Sequence, residues 1–380
     1  MNDRTLVARV RAEVAGGLEP AGLLALYADP ARRALIRERV RLAARVPLSE
    51  ADLDVLCAEL FGFGPVQSLL EDPDVTDVLV NGPREVYCER RGRLERTDIA
   101  FGGEDDVAEL AHRVAASVGR ELTIERPYVD ARMRDGSRAN AVIAPIGGPT
   151  ISIRKFSRVS IPLRGPAPSW TSGGLLDDAA ALLESCVRGH ANVLISGATG
   201  SGKSTLLRSL AAAIPGDERI VAIEDTSELI LPHPHVVRLE CVPGPDGAGV
   251  GIADLVANAL RMRPDRILVG EVRTPREASA LLEALSTGHD GALTTLHAGS
   301  AAGAIDRLAL LLARAGDLGE AAIARHVSFS IDVIVHVSRD PLGFRSVSEI
   351  AAVEDRGLEI LWRTRDPAVR MPTRLRRRIG

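Results

Sequence analysis

The chain has 380 residues, 46% hydrophobic and 3% aromatic, and its 47 basic and 51 acidic residues leave a formal net charge of −4. That length sets two or three domains with cores of Leu, Val, Ile and Ala, and the balanced charge argues against a general nucleic-acid binder. No window of about 18 apolar residues lacks charge, the start of the chain (Asp3, Glu13) has no signal-peptide core, and Cys57, Cys88, Cys186 and Cys241 show no metal-ligand spacing, so a cytosolic protein without zinc or a membrane span is expected.

Residues 1–47 read as a charged helical arm. Arg32, Arg33, Arg37, Arg39, Arg41 and Arg45 crowd its second half, as a solvated face or as a docking surface for an acidic partner or lipid headgroups. Residues 48–156 read as a small α+β domain with a mostly antiparallel sheet. Ser49 caps a helix, with Asp52 three positions on, and Gly62, Gly64 and Pro65 break it. Val75–Val80, Val86–Arg90 and residues 94–99 alternate as strands, turned at Asn81-Gly82 and Arg91-Gly92, and a helix is expected over 105–118. Seven basic residues (Arg126, Arg132, Arg134, Arg138, Arg154, Lys155, Arg158) then face two acids, Asp130 and Asp135. They form a solvated basic face, or they supply arginine fingers to a phosphoryl group in a neighbouring domain or subunit. Three prolines and three glycines mark 157–174 as a linker.

Helix and strand alternate over 175–362. A helix is expected at Asp177–Arg188, and the runs 193–195, 220–223, 267–269, 293–296 and 333–337 are short and unalternating, as in strands buried on both faces of a parallel sheet. The tail 363–380 holds seven arginines and one acid, Asp366, and reads as a solvated tail or a binding element.

The first of those runs leads into Gly197-Ala198-Thr199-Gly200-Ser201-Gly202-Lys203-Ser204-Thr205, the G-x-x-x-x-G-K-[ST] spacing of a P-loop, and a helical pattern follows. Glycines let successive N–H groups turn toward phosphate oxygens, and the helix start adds partial positive charge. Lys203 is placed to reach the β- and γ-phosphates of ATP, and Ser204 to hold Mg²⁺. Lys203 and Lys155 are the only two lysines. Residues 266–271 read as a Walker B strand ending in Glu271, suited to hold Mg²⁺ through water. Residues 220–225 deliver Glu224 and Asp225 at a second strand end, where ligands of parallel sheets sit. Glu224 there orients or deprotonates a water, or caps a turn. His289 and His297 flank a further strand; His297 contacts the γ-phosphate or is structural. Thr274-Pro275-Arg276-Glu277 starts a helix and frames Arg273 just past Glu271.

Together these features resemble the secretion ATPases of the type II/type IV superfamily, and within it the Flp-pilus (Tad) and conjugal-transfer-associated branch. The resemblance spans roughly residues 50–355. It rests on Phe63-Gly-Pro, Val80-Asn-Gly-Pro83, Val129-Asp-Ala-Arg132 with Asp135-Gly-Ser-Arg138, Ile153-Arg-Lys-Phe156 and the P-loop. Further along lie Ile223-Glu-Asp-Thr-Ser-Glu-Leu229, Arg261-Met-Arg-Pro-Asp265 with Val269-Gly-Glu-Val-Arg273, and Thr287-Gly-His-Asp-Gly291 with Leu296-His-Ala298. It implies an α/β fold: a RecA-like P-loop NTPase core with an N-terminal α+β domain and a short helical N-terminal arm. It also implies an ATP-hydrolysing homohexamer on the cytoplasmic face of the inner membrane, joined to a platform protein of a pilus or secretion machine. Lys203, Ser204 and Thr205 are implied for phosphate and Mg²⁺, Glu224 as base, Glu271 as Walker B acid, His297 as γ-phosphate contact, and Arg132, Arg138 and Arg154 as fingers. The tetracysteine zinc loop of the type II branch is missing, which favours the pilus or conjugal branch. The competing reading is a DNA-translocating or DNA-partitioning ATPase. The charge balance and the lack of an aromatic-studded basic stretch weigh against it. A transporter nucleotide-binding subunit is set aside, because Ser172-Gly-Gly174 lies upstream of the P-loop.

Overall fold

The computed structural model describes residues 4–15, 24, 27, 29–133, 135–156, 161–226, 228–242, 244, 249–316, 318–354, 357–364 and 375. Arg134, Arg158, residues 157–160 of the expected linker and most of the basic tail lie outside them. The chain divides into two compact units, Met1–Ser157 and Arg158–Gly380.

The first unit opens with helices α1 (Arg4–Val10), α2 (Pro30–Ala44) and α3 (Glu50–Phe61). Ser49 caps α3 by accepting the Asp52 N–H, as its spacing predicts, and Gly62 ends it. Val10, Ile36, Val40, Leu53, Leu56 and Phe61 share one apolar cluster. Three arginines of α2 are paired inside this unit: Arg37 with Glu50 and Asp54, Arg41 with Glu50, and Arg33 with Glu71.

Six strands follow: β1 (Val75–Val80), β2 (Val86–Arg90), β3 (Arg93–Arg96), β4 (Tyr128–Arg132), β5 (Arg138–Val142) and β6 (Thr150–Arg154), in the order β3-β2-β1-β6-β5-β4. Every pairing is antiparallel. Arg91 and Gly92 both take positive φ, 50° and 78°, which makes the tight β2–β3 turn. The β1–β2 connection is longer than Asn81-Gly82 suggests, closing through the Asn81 N–H on the Glu85 carbonyl. β3 also stops at Arg96, short of the expected 99. It is an exposed edge, and the chain then turns to bury Phe101. A helix at Glu104–Ser117 covers β4, β5 and β6 from one side. Val129, Ala131, Ala139, Ala141, Ile151 and Ile153 point into that core, so the alternate residues take the other face. Arg132 pairs with Arg138, Arg138 with Arg154, and Arg154 with Asp77, a row across four strands.

The second unit is an eight-stranded sheet built from β7 (Val193–Gly197), β8 (Ile220–Glu224), β9 (Val236–Glu240), β10 (Arg266–Val272), β11 (Leu293–His297), β12 (Val333–Arg339), β13 (Arg345–Glu354) and β14 (Gly357–Arg363). Its order is β14-β13-β12-β7-β11-β10-β8-β9. From β12 to β9 all pairings are parallel. Successive residues alternate faces, so Val193 and Ile195 join one apolar cluster and Leu194 the other, and both faces are covered. The expected α/β alternation fails at the end: β12, β13 and β14 form an antiparallel meander. Residues 161–174, expected as a linker, pack on this sheet. Leu163 and Trp170 are buried in its core, and the Trp170 indole N–H donates to the Ser209 hydroxyl.

Asn192, just before β7, aligns three strands. Its carbonyl oxygen accepts from the Gly291 and Ala292 N–H groups, its amide donates to the Ser330 carbonyl, and its N–H donates to Asp332. Each orphaned buried N–H costs about 1–3 kcal/mol. Asn192→Ala is therefore expected to lose roughly 2–4 kcal/mol in denaturant unfolding; a loss below about 0.5 kcal/mol, the range of neutral surface changes, would contradict this reading.

Candidate functional site

The parallel arrangement brings the carboxyl ends of β7, β8, β10 and β11 to one edge of the sheet. Gly197, Glu224, Glu271 and His297 stand at or beside those ends. His289 precedes β11 and lies toward the opposite edge, where the Thr287 hydroxyl is its neighbour.

The P-loop folds as its spacing requires. β7 ends at Gly197 and the helix α4 (Lys203–Ala211) starts at Lys203. Gly200 and Gly202 take φ of 72° and 101°, which other residues rarely adopt. Gly202 is the residue before α4, and no side chain caps that helix start. First-turn N–H groups lack partners within a helix, and those of α4 follow directly on the loop. Ser204 is exposed at that turn and Lys203 is buried.

The Lys203 ammonium donates to the Gly197 carbonyl (3.1 Å) and the Ala198 carbonyl (3.0 Å), and reaches His297 Nδ1 at 3.1 Å. Because an ammonium can only donate, His297 accepts at Nδ1 and carries its proton on Nε2. That Nε2 meets Glu271 Oε1 at 2.7 Å. Glu271 Oε2 accepts from Arg273 at 2.8 Å, and Arg273 also reaches Asp225 at 3.2 Å. One chain of polar contacts thus runs Lys203–His297–Glu271–Arg273–Asp225 across four strand ends. Burial lowers the Lys203 pKa, with the Glu271 carboxylate acting against that shift. The capping box places Arg273: the Thr274 hydroxyl accepts the Glu277 N–H, and the Glu277 carboxylate accepts the Thr274 and Arg273 N–H groups.

Glu224 is buried beside this chain but outside it. Its Oε1 accepts from the Glu228 and Leu229 N–H groups, each at 2.9 Å, and its Oε2 from Leu229 at 3.2 Å. Gly270 leaves room for it, since a Cβ there would lie 3.1 Å from Glu224 Cγ. Burial pushes the Glu224 carboxyl up to about 7, against the two backbone hydrogen bonds.

Arg132, Arg138 and Arg154 belong to the first unit. Arg154 donates to Asp77 at 2.9 Å. Among the described residues no group of three or more His, Cys, Asp or Glu is arranged to hold a metal ion. Ser204 and Glu271 fit a divalent cation only as partners of ligand oxygens, the usual manner of Mg²⁺ at phosphates. Two further arginines, Arg339 and Arg345, stand beside the P-loop. Arg345 Nε donates to the Gly200 carbonyl at 2.8 Å. Neither belongs to a local motif; the pairing of β12 with β7 brings them to the loop, and that of β12 with β13 sets them opposite one another.

Comparison with known proteins gives the context. Residues 59–340 match the profile of the family described as "Type II/IV secretion system protein". The "Putative conjugal transfer protein Rv3659c" of Mycobacterium tuberculosis is 38% identical over 313 residues, 80% of this chain and 88% of its own length. Protein VirB11 of Agrobacterium fabrum is 31% identical over 302 residues, 71% of this chain and 87% of its own length. The X-ray structure of the Legionella pneumophila ATPase DotB superposes with a TM-score of 0.55 at 23% identity, over 76% of this chain and 79% of that one, and shows the shared fold.

The raised Glu224 carboxyl makes stability depend on pH. Its folded value, about 7, exceeds the ordinary 4.5, so the folded state binds the proton more tightly. That contribution is complete below about 4.5 and drains away as pH rises through 7. Glu224→Gln keeps an oxygen acceptor and escapes the loss. The variant is expected to gain on the wild type from pH 5 to pH 8, by on the order of 2 kcal/mol at the top. Parallel unfolding curves over that range would contradict the burial argument.

Proposed function

This chain belongs to the type II/IV secretion system protein family and is an ATPase; we propose that it is the cytoplasmic homohexameric motor of a pilus, secretion or conjugal-transfer machine at the inner membrane. The observation that carries this is the contact chain from Lys203 to Asp225, which joins the phosphate-binding loop to three other strand ends. Such a chain registers the outermost phosphate and passes its presence to the neighbouring strands. Among the described residues no helix is long and apolar enough to cross a membrane, so a membrane partner, a platform protein of the machine, supplies the anchorage in this reading. The Flp-pilus and conjugal-transfer-associated branch remains our preferred placement within the family.

The roles follow from donors and acceptors. The loop N–H groups of 197–205 bind the phosphates, and Lys203 turns from the Gly197 and Ala198 carbonyls to the β- and γ-oxygens. His297 then loses its lysine partner and turns the N–H at Nε2 to the γ-phosphate, which leaves Glu271 to the cation. Ser204 and Glu271 would hold Mg²⁺, whose chemistry is to neutralise phosphate charge. Glu224 is the general base: with a pKa near 7 it accepts a proton at neutral pH and still keeps an ionised fraction to receive it. Arg132, Arg138 and Arg154 are the finger candidates. Their side chains start from one cross-strand row, at about 5 Å per strand, a spacing that suits a polyphosphate. The domain 48–156 is the element that moves against the ATPase domain on turnover. Residues 161–174 go with the ATPase domain, because Leu163 and Trp170 are in its core.

Purified Lys203→Ala protein is expected to lose ATP hydrolysis by at least about 10²-fold while staying folded. Glu224→Gln is expected to keep nucleotide binding and lose turnover to a similar degree. Retained turnover in Lys203→Ala would remove the site. If Glu271→Gln alone traps bound nucleotide and Glu224→Gln turns over, the two acids exchange roles.

A further inference from the structure

The P-loop strand β7 has different neighbours on its two sides. β11 and β10 bring His297 and Glu271, while β12, paired to β7 on the other side, leads into the hairpin between Arg339 and Arg345. These two arginines are opposite one another in the β12–β13 register. The turn between them is fixed by Asp340, whose carboxylate accepts the Leu342 and Phe344 N–H groups and whose own N–H donates to the Phe344 carbonyl.

Both arginines reach the loop. Arg345 Nε donates to the Gly200 carbonyl at 2.8 Å. Its stem also closes on Gly202: a Cβ there would lie 3.3 Å from Arg345 Cδ and 3.4 Å from the Trp170 ring. A Cβ on Gly200 would lie 3.4 Å from Arg339 Nη1. The loop is thus braced from outside by the hairpin and Trp170, and two guanidinium groups stand on the flank away from Glu271.

We propose that Arg339 and Arg345 are nucleotide-site residues: Arg345 is a positioning residue that sets the loop through Gly200, and Arg339 is a cation for the phosphates common to ATP and ADP. This rests on the P-loop reading above. The terminal phosphate is met on the β11 side by Lys203 and His297. A polyphosphate threaded through the loop therefore carries its α- and β-groups toward the β12 side, where Arg339 stands. Contacts made there are present in ATP and ADP alike, so they strengthen binding uniformly and leave the chemical step alone.

The test is equilibrium binding of fluorescent mant-ATP and mant-ADP to the purified full chain, with steady-state hydrolysis. Arg339→Gln and Arg345→Gln are each expected to weaken both nucleotides by the same factor, about tenfold, the size of one charge-assisted hydrogen bond. KM should rise in step, and kcat at saturating ATP should stay within about threefold. Arg345→Lys, which restores a donor on a stem of similar length, should bind within about threefold of wild type, whereas a merely structural loss would not be rescued so. Unchanged affinities in both glutamine variants, or a loss confined to ATP, would overturn the proposal, as would an Arg345→Lys protein as weak as Arg345→Gln. Lys203→Ala serves as the reference. If it binds both nucleotides normally, the P-loop reading itself fails; if it does not bind and the arginine variants do so fully, only this inference fails.

Discussion

Everything at the carboxyl edge of the second sheet depends on one buried ammonium. Lys203 has three N–H donors and three acceptors: two carbonyls of its own loop and the imidazole of His297. A cation in a partly dry crevice must find such partners. These fix the loop's curl and the histidine's tautomer, and that tautomer leaves Nε2 to face Glu271. A phosphate offers charged acceptors in place of neutral ones, which adds Coulombic attraction to bonds the ammonium already makes charge-assisted. The resting arrangement is therefore satisfied yet exchangeable, which is what a site that binds and releases nucleotide repeatedly requires.

In the proposed mechanism the sheet turns that exchange into a mechanical signal. His297, Glu271 and Glu224 sit at the ends of adjacent parallel strands, each buried on both faces over most of its length. Such strands cannot shift singly without disturbing two apolar clusters. A change of partner at Lys203 is felt at β11 and β10 together. Glu224 stays apart, held by the N–H groups of Glu228 and Leu229. Its base function in the proposed mechanism asks for those bonds to loosen once nucleotide is bound.

Much of this was legible in the sequence, and the exceptions share a cause. The P-loop, Glu271, Glu224 and His297 each sit at the end of an apolar run whose type the residue pattern reveals, and the structure brings all four to one edge. The helix at Asp177–Arg188 and the capping of α3 follow from local chemistry in the same way. What escaped was set by pairing. β4, β5 and β6 are short and carry arginine and asparagine on the open face, so their alternation is weak. β13 and β14 fall where the residue pattern predicts further α/β alternation, because nothing local announces an antiparallel return. Arg339 and Arg345 lie far from the P-loop in sequence, and only the parallel pairing of β12 with β7 puts them there. Residues 161–174 have a linker's composition, yet Leu163 and Trp170 find an apolar sheet to cover.

A structure of the chain with a non-hydrolysable ATP analogue and Mg²⁺ tests the central claim most directly. The account predicts that the Lys203 ammonium leaves the Gly197 and Ala198 carbonyls for the β- and γ-oxygens, with His297 released from Lys203 and its Nε2 turned to the γ-phosphate. Nucleotide bound elsewhere, or bound in the loop with the Lys203–His297 contact intact, would contradict it.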